Sequence, residues 1–335
     1  MFCILFLFPL LFQLVKSENI LDIFDKWVSK YHYKSKGYDD YILTFGKWYS
    51  NHRYIEFVNS RNLSYRLGHN QFSGMDQYDF RKYRGYISRM HLPNEANREI
   101  TDLEYYIPSE INWVELGSVT PVKDQGQCGS CWSFSTTGAL EGAYYIKYGE
   151  LLSFSEQPLV SCDDLKNSKN RGHDHGCNGG IMDNAFTWIQ NNGGLCTEET
   201  YPYVSGDGNN PSCVTTCQNI ATSKIVSYYD VLPSSDVAMM TALAQQPVSI
   251  AIEADQRDFQ LYKSGVFTGS CGTNLDHGVL AVGYGTYEGD DYYLVKNSWS
   301  NTWGLDGYIM LGRGSKYNDG DGQCGILLEG SYPML

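Results

Sequence analysis

The chain has 335 residues, of which 42% are hydrophobic and 19% charged, an ordinary composition for a folded protein that buries a sizeable core in two or three compact units. A formal net charge of −13 argues against nucleic acid as a partner. That charge is unevenly spread: residues 1–106 hold 14 Lys and Arg against 12 Asp and Glu, net +2, whereas residues 107–335 hold 11 against 26, net −15. A first part without strong negative charge can sit against an acidic body, and protonation of carboxylates at low pH would weaken any attraction between them.

In chain order, the opening run MFCILFLFPLLFQLV is apolar, is interrupted by Pro9 and ends near the small Ser17. It is too short to cross a bilayer at about 1.5 Å per residue and reads as a signal peptide over residues 1–17. No second apolar run approaches a membrane span, so no membrane anchor is expected. From Ile20 to Asn59 apolar residues recur at helical spacing (Ile20, Ile23, Phe24, Trp27, then Trp48, Ile55, Phe57), which predicts helix without a catalytic cluster. Residues 85–106 mix Gly, Pro and charge with little periodicity and are expected to form a linker open to cleavage. After Ile107 the chain turns Gly-, Cys- and aromatic-rich; Cys131–Lys147 predicts a helix, and Val279–Tyr284 and Tyr292–Lys296 predict a β-hairpin. The overall expectation is an α+β fold.

Once Cys3 leaves with the signal, nine cysteines remain between Cys128 and Cys324. In an oxidising compartment an odd number leaves one thiol unpaired. The segment Gln125-Gly126-Gln127-Cys128-Gly129-Ser130-Cys131-Trp132 places Cys131 at the start of a helix, where free N–H groups and the macrodipole stabilise a thiolate. A Cys-x-x-Cys zinc half-site or redox pair fits the same spacing. Against these, no matching ligand pair follows, and no βαβ order precedes the motif. A nucleophilic thiol needs an imidazole and a group to orient it. His173 and His175 fall in a polar loop that reads as a solvated insertion, although a pH-sensing or metal-binding role is open to it. His277 enters the first hairpin strand, and antiparallel pairing sets it beside Asn297 at the end of the second.

These motifs, with Gly176-Cys177-Asn178-Gly179-Gly180, Asp276-His277-Gly278 and Lys296-Asn297-Ser298-Trp299 in the same order, resemble the papain and cathepsin L-like cysteine proteases over nearly all of residues 107–335. The resemblance implies a papain-like fold of a helical and a β-rich domain meeting at a cleft, with Cys131 as nucleophile and His277 as its proton partner in a thiolate–imidazolium pair. It implies Asn297 orienting the imidazole, Trp299 shielding that contact, and Gln125 donating to the oxyanion together with the backbone N–H of Cys131. The implied disulfides are Cys128–Cys177, Cys162–Cys213 and Cys271–Cys324, which leave Cys196 and Cys217 to each other. Residues 18–106 resemble the family's inhibitory propeptide: the register of its long helix fits Asp40, Thr44, Trp48, Asn51, Ile55 and Asn59, followed by Gly68, Asn70 and Phe72. Thr44 and Gly74 depart from that pattern, which puts the usual salt bridges in question.

By the same resemblance the substrate cleft takes in Gly179, Gly180, Ile181, Met182, Ala251, Leu275, Asp276, Trp299 and Glu329. The apolar members form a slot, and a carboxylate at its floor would accept Arg beside Phe or Leu; a solvated Glu329 pointing away is the alternative. The expected function is a monomeric endopeptidase of the secretory pathway, lysosomal or vacuolar or extracellular, made as an inactive precursor. No cofactor or metal is implied. Expected partners are peptide and protein substrates, its own propeptide and cystatin-type inhibitors, and the rival reading is a catalytically silent papain-like binding protein. Asn62-Leu63-Ser64 is the only N-glycosylation triplet.

Overall fold

The computed structural model describes residues 19–88, 107–163, 174–214 and 216–335. The expected signal peptide, most of the expected linker, and His173 lie outside the described residues. Two helices open the chain: α1 (Ile20–Lys30), whose N-cap Asn19 accepts from the Leu21 amide, and α2 (Tyr38–Asn59). The helical character expected over Ile20–Asn59 is thus met by two helices separated at residues 31–37. The chain turns before Gly37, and Asp40 holds the turn by accepting from the Lys36 amide at 2.9 Å and the Tyr33 hydroxyl at 2.5 Å. Phe24, Trp27 and Trp48 make an aromatic core between the helices.

The expected propeptide register lies on one working face of α2. Thr44, Trp48, Asn51 and Ile55 are buried. Asn51 donates to the carbonyls of Ser73 and Met75 at 2.9 and 3.0 Å, and Asn59 makes paired bonds with the Leu67 backbone at 2.9 Å. The two departures face each other: a Cβ on Gly74 would lie 2.8 Å from Thr44 Cγ2 and 2.7 Å from Trp27. No space remains there for a longer pair, and the Thr44 hydroxyl bonds instead to Tyr33 at 2.8 Å.

Among the described residues, β1 (Tyr65–Leu67), β2 (Ile111–Asn112), β3 (Ser227–Asp230), β4 (Val248–Ile252), β5 (Tyr262–Phe267), β6 (His277–Tyr287), β7 (Asp290–Lys296), β8 (Tyr308–Gly312) and β9 (Gly330–Met334) form one sheet. Its order is β1-β5-β8-β7-β6-β4-β9-β3, with β2 paired to β6. The β5–β8 pairing is parallel and the other pairings are antiparallel. The short α3 (Gln77–Phe80) leads from the first unit towards the second. There α4 (Cys131–Tyr148), α5 (Gln157–Cys162) and α6 (Met182–Asn192) surround a core that includes Trp132, Leu140, Phe154, Phe186 and Trp188. α7 (Asp236–Leu243) and α8 (Arg257–Gln260) pack on the β-rich half around Val248, Ile250, Tyr293 and Trp303. The three disulfides that the resemblance implied form, and the leftover Cys196 and Cys217 pair with each other, which leaves Cys131 as the free cysteine among the described residues.

Within the first unit His52 and His69 stack on Trp48 and share a hydrogen bond, Nδ1 to Nε2, at 3.0 Å. Around them stand Glu56, 3.6 Å from His52 on the same helix, the Tyr31 hydroxyl just past α1 on the His69 carbonyl, and Lys263 of β5 against Gly68. Burial, then the neighbouring His52, lowers the His69 pKa to about 4. Its stabilising contribution is thus full above the unfolded value of about 6.5 and is lost as pH falls through about 4. In a Cys131→Ala variant of the full chain, urea unfolding of α1–α2, followed by Trp fluorescence, is expected to weaken from pH 7 to pH 4 by on the order of 2 kcal/mol, discounted for partial exposure. His69→Gln should flatten that slope; an unchanged slope would remove His69 from the account.

Candidate active site

α4 begins at Cys131 with no side-chain cap from Ser130, so the first N–H groups and the positive end of the helix dipole lie at the thiol. The Gly278 amide donates to Cys131 Sγ at 3.3 Å, and the amides of Gly85 and Trp132 also point at the sulfur. Close packing allows this, because a Cβ on Gly278 would stand 3.2 Å from Trp132 Cα.

His277 is the first residue of β6, and the β6–β7 ladder, with Leu280 opposite Lys296, brings Asn297 alongside it. The expected neighbours meet: His277 Nε2 and Asn297 Oδ1 are 2.8 Å apart. The same Oδ1 accepts from the Ser298 amide at 2.7 Å, which fixes the orientation of the Asn297 amide. An amide oxygen only accepts, so the proton sits on Nε2 and Nδ1 keeps its lone pair. Nδ1 is buried with no hydrogen-bond partner among the described residues. Trp299 stacks on the imidazole at 4.5 Å between centroids, where the shielding role was expected.

Gln125 is held through both ends of its amide. Ser298 Oγ donates to its Oε1 at 2.7 Å, while Nε2 donates to the carbonyls of Cys128 and Tyr83 at 2.8 and 3.1 Å. The Tyr83 carbonyl also accepts from Trp299 Nε1 at 3.0 Å.

Tyr83 stands just before residues 85–106, which the sequence suggested were linker. Residues 83–88 instead run through the cleft. Gly85 accepts from the Gly180 amide at 3.0 Å, Ile87 donates to the Gly180 carbonyl at 3.1 Å, and Tyr86 donates to the Asp276 carbonyl at 3.0 Å, with Tyr86 and Gly180 bridged in parallel. A side chain on Gly85 would collide with the Gly129 carbonyl at 2.0 Å, and one on Gly179 would come within 2.7 Å of the Gly85 carbonyl. Arg84 pairs with Asp276 at 2.5 Å. The signal available in the sequence was a pair of aromatic residues, Tyr83 and Tyr86, flanking a glycine in a basic stretch.

Ile181, Met182, Ala251 and Leu275 are buried where the slot was expected. Tyr86 packs in the same apolar cluster as Met182, Ala251 and Leu275. Glu329, only 5% exposed, accepts from the Tyr86 hydroxyl and, at 2.7 Å, from Ser88 Oγ. Its carboxylate faces the slot and not solvent. His175 lies away from this site, in a polar pocket with Asn178, Asn209 and Asn210, and the described residues contain no cluster of three or more His, Cys, Asp or Glu able to hold a metal.

With the cleft filled, burial dominates the electrostatics. It pushes the Cys131 thiol up to about 12 and the His277 imidazole down to about 3. Both groups are therefore neutral near pH 7 in this covered state.

Residues 107–334 match the family described as papain family cysteine protease. The "Probable cysteine protease RD21B" of Arabidopsis thaliana is 46% identical over 285 residues, 85% of this chain and 59% of that protein. This chain thus spans less than two thirds of that relative's length. "Thiol protease SEN102" of Hemerocallis sp. is 42% identical over 331 residues, 96% of this chain and 88% of that one. Among solved structures, the recombinant stem bromelain precursor superposes with a TM-score of 0.82 at 35% identity, covering 94% of this chain and 99% of that one. The proform of the ragweed pollen cysteine protease Amb a 11 gives 0.81 at 34% identity, covering 94% of each. The chain belongs to the papain family of cysteine proteases.

Proposed function

We propose that this chain is the precursor of a secretory-pathway cysteine endopeptidase, with a signal peptide at 1–17, an inhibitory propeptide at 18–106 and the peptidase at 107–335. The observation that carries the reading is the convergence of Cys131, the Asn297-oriented His277 and the Gln125 amide at one point, with residues 83–88 bound across it. His277 Nδ1 takes the Cys131 proton, and the thiolate adds to the substrate carbonyl. Gln125 Nε2 and the Cys131 amide donate to the developing oxyanion. His277 then protonates the leaving amine, and water deprotonated by His277 releases the acid from the thioester. In the precursor the Tyr83 carbonyl takes up the Gln125 donor.

The slot walled by Ile181, Met182, Ala251 and Leu275, with Glu329 turned into it, accepts apolar and basic side chains alike. The aromatic ring and hydroxyl of Tyr86 satisfy both features in the precursor. Destination in a vacuole, a lysosome-type compartment or outside the cell, a monomeric state, and capture by cystatin-type inhibitors belong to the same reading, which the four disulfides support as far as an oxidising route.

Acid-activated protein is expected to cleave fluorogenic Phe-Arg and Arg-Arg substrates, and Cys131→Ala to cleave neither. Gln125→Ala should lower kcat by about 100 to 1000-fold. Glu329→Ala should lose Arg-Arg turnover while keeping Phe-Arg; loss of both, or of neither, would sink the pocket assignment. Wild-type protein inert after removal of residues 18–106 would overturn the enzyme reading itself. Gly85→Ala forces overpacking that costs about 1–3 kcal/mol, so alkylation of Cys131 in the intact precursor should quicken by about tenfold or more.

A further inference from the structure

Asn62-Leu63-Ser64 has a defined place in the fold. Asn62 is exposed in the turn that follows α2, in the left-handed region at φ 51°, which asparagine tolerates well. The turn lies beyond the end of α2 and outside residues 83–88, so a large group on Asn62 would project to solvent without entering the cleft. Asn210-Pro211-Ser212, the other spacing of this kind, is excluded by its proline.

Ser64 is in the opposite situation. Its hydroxyl donates to the Val266 carbonyl at 2.8 Å and shares a 2.8 Å bond with Thr268 Oγ1, both more than 200 residues downstream. Its carbonyl is so close to β5 that a Cβ on Gly265 would meet it at 2.2 Å. A glycosyltransferase must read the hydroxyl two residues after the acceptor asparagine. In the folded precursor that hydroxyl is already taken by the second unit.

We propose that Asn62 is an N-glycosylation site that is modified only before residues 262–268 dock onto β1. The inference rests on the secretory reading above. The donor is a polyprenyl-diphosphate-linked oligosaccharide. Asn62 Nδ2 attacks the anomeric carbon, the Nδ2–C1 bond forms as the C1–O bond to the diphosphate breaks, and the polyprenyl diphosphate leaves while the amide proton passes to a transferase base. Since Ser64 and Val266 are 202 residues apart, synthesis at about 5–20 residues per second leaves the site open for roughly 10–40 s. The glycan then marks the precursor alone, because Asn62 departs with residues 18–106.

The test expresses the full chain in a eukaryotic secretory host and compares electrophoretic mobility before and after peptide-N-glycosidase, with thiol alkylation reporting disulfides on the same material. One shift in the precursor, none in the mature form, none in Asn62→Gln or Ser64→Ala, and a retained shift in Ser64→Thr are expected. The wild-type digestion does not depend on how any variant folds. Precursor with its disulfides formed and no shift overturns the site while leaving the secretory reading intact; precursor with reduced cysteines overturns both. For the timing, bacterially made, refolded full-length chain is offered to solubilised oligosaccharyltransferase and lipid-linked donor. It should remain unmodified while the same chain, reduced and unfolded, is glycosylated, and equal modification of both overturns the ordering.

Discussion

The close approach of α4 to β6 is the constraint on which the rest of the molecule depends. It sets the first residue of a helix from one core against the first residue of a strand from the other. Small residues make the approach possible: a Cβ on Gly138 would meet Leu280 at 2.8 Å, and one on Gly142 would meet Pro247 at 2.6 Å. Hydroxyls then fix the alignment, Ser135 donating to the Val279 carbonyl at 2.6 Å and Ser249 to the Ser135 carbonyl at 2.9 Å. Behind them Lys123 lies between Glu141 and Glu156 at 3.0 and 2.7 Å, and Thr120 links Glu141 to Lys296, the residue before Asn297. A buried ionic chain is costly when any member loses its partner, so a sliding of one half against the other would be penalised at once.

Inhibition follows from the same geometry. The covering segment uses the cleft's own groups, namely the Gln125 amide, the Gly180 backbone, the Asp276 carboxylate and Glu329. In the proposed function no added blocking device is needed, since the segment's dehydration of Cys131 and His277 would remove the charge separation that makes a thiol nucleophilic. Occupancy and electrostatic silencing are therefore one event.

Much of this was legible in the chain. The β-prone runs Val279–Tyr284 and Tyr292–Lys296 either side of a turn-forming segment specified the β6–β7 hairpin, and antiparallel geometry then placed His277 beside Asn297. Cys131 stood out by its helix-initial position and by cysteine parity, and it is the free cysteine among the described residues; three of the four disulfides followed from the family resemblance. What escaped has a common physical origin in long-range contact. The passage of residues 83–88 depends on backbone groups at Gly180 and Asp276, and a single parallel bridge leaves no local pattern. Thr44 and Gly74 look like two unrelated departures along the chain, yet in space they are complementary. The break between α1 and α2 falls in the polar residues 31–37, where Asp40 fixes a turn through bonds to Tyr33 and Lys36 that periodicity does not register. Lys123, Glu141 and Glu156 are separated along the chain, and only the fold brings them together.

The pairing of β1 with β5 has a consequence beyond the cleft. Tyr65 opposite Gly265 and Arg66 opposite Ser264 cover one side of β5, whose other side is held by β8. Release of the first unit, as in the proposed function, would strip a border strand from the sheet as well as a plug from the cleft, and leave unpaired N–H and C=O groups able to template another chain. The peptidase carries its own safeguards there: Lys263 projects from β5, and Gly265, at φ 82°, bends the strand out of a flat register. A precursor that matures at high local concentration is thus guarded against self-association by a charge and a kink that have no part in catalysis.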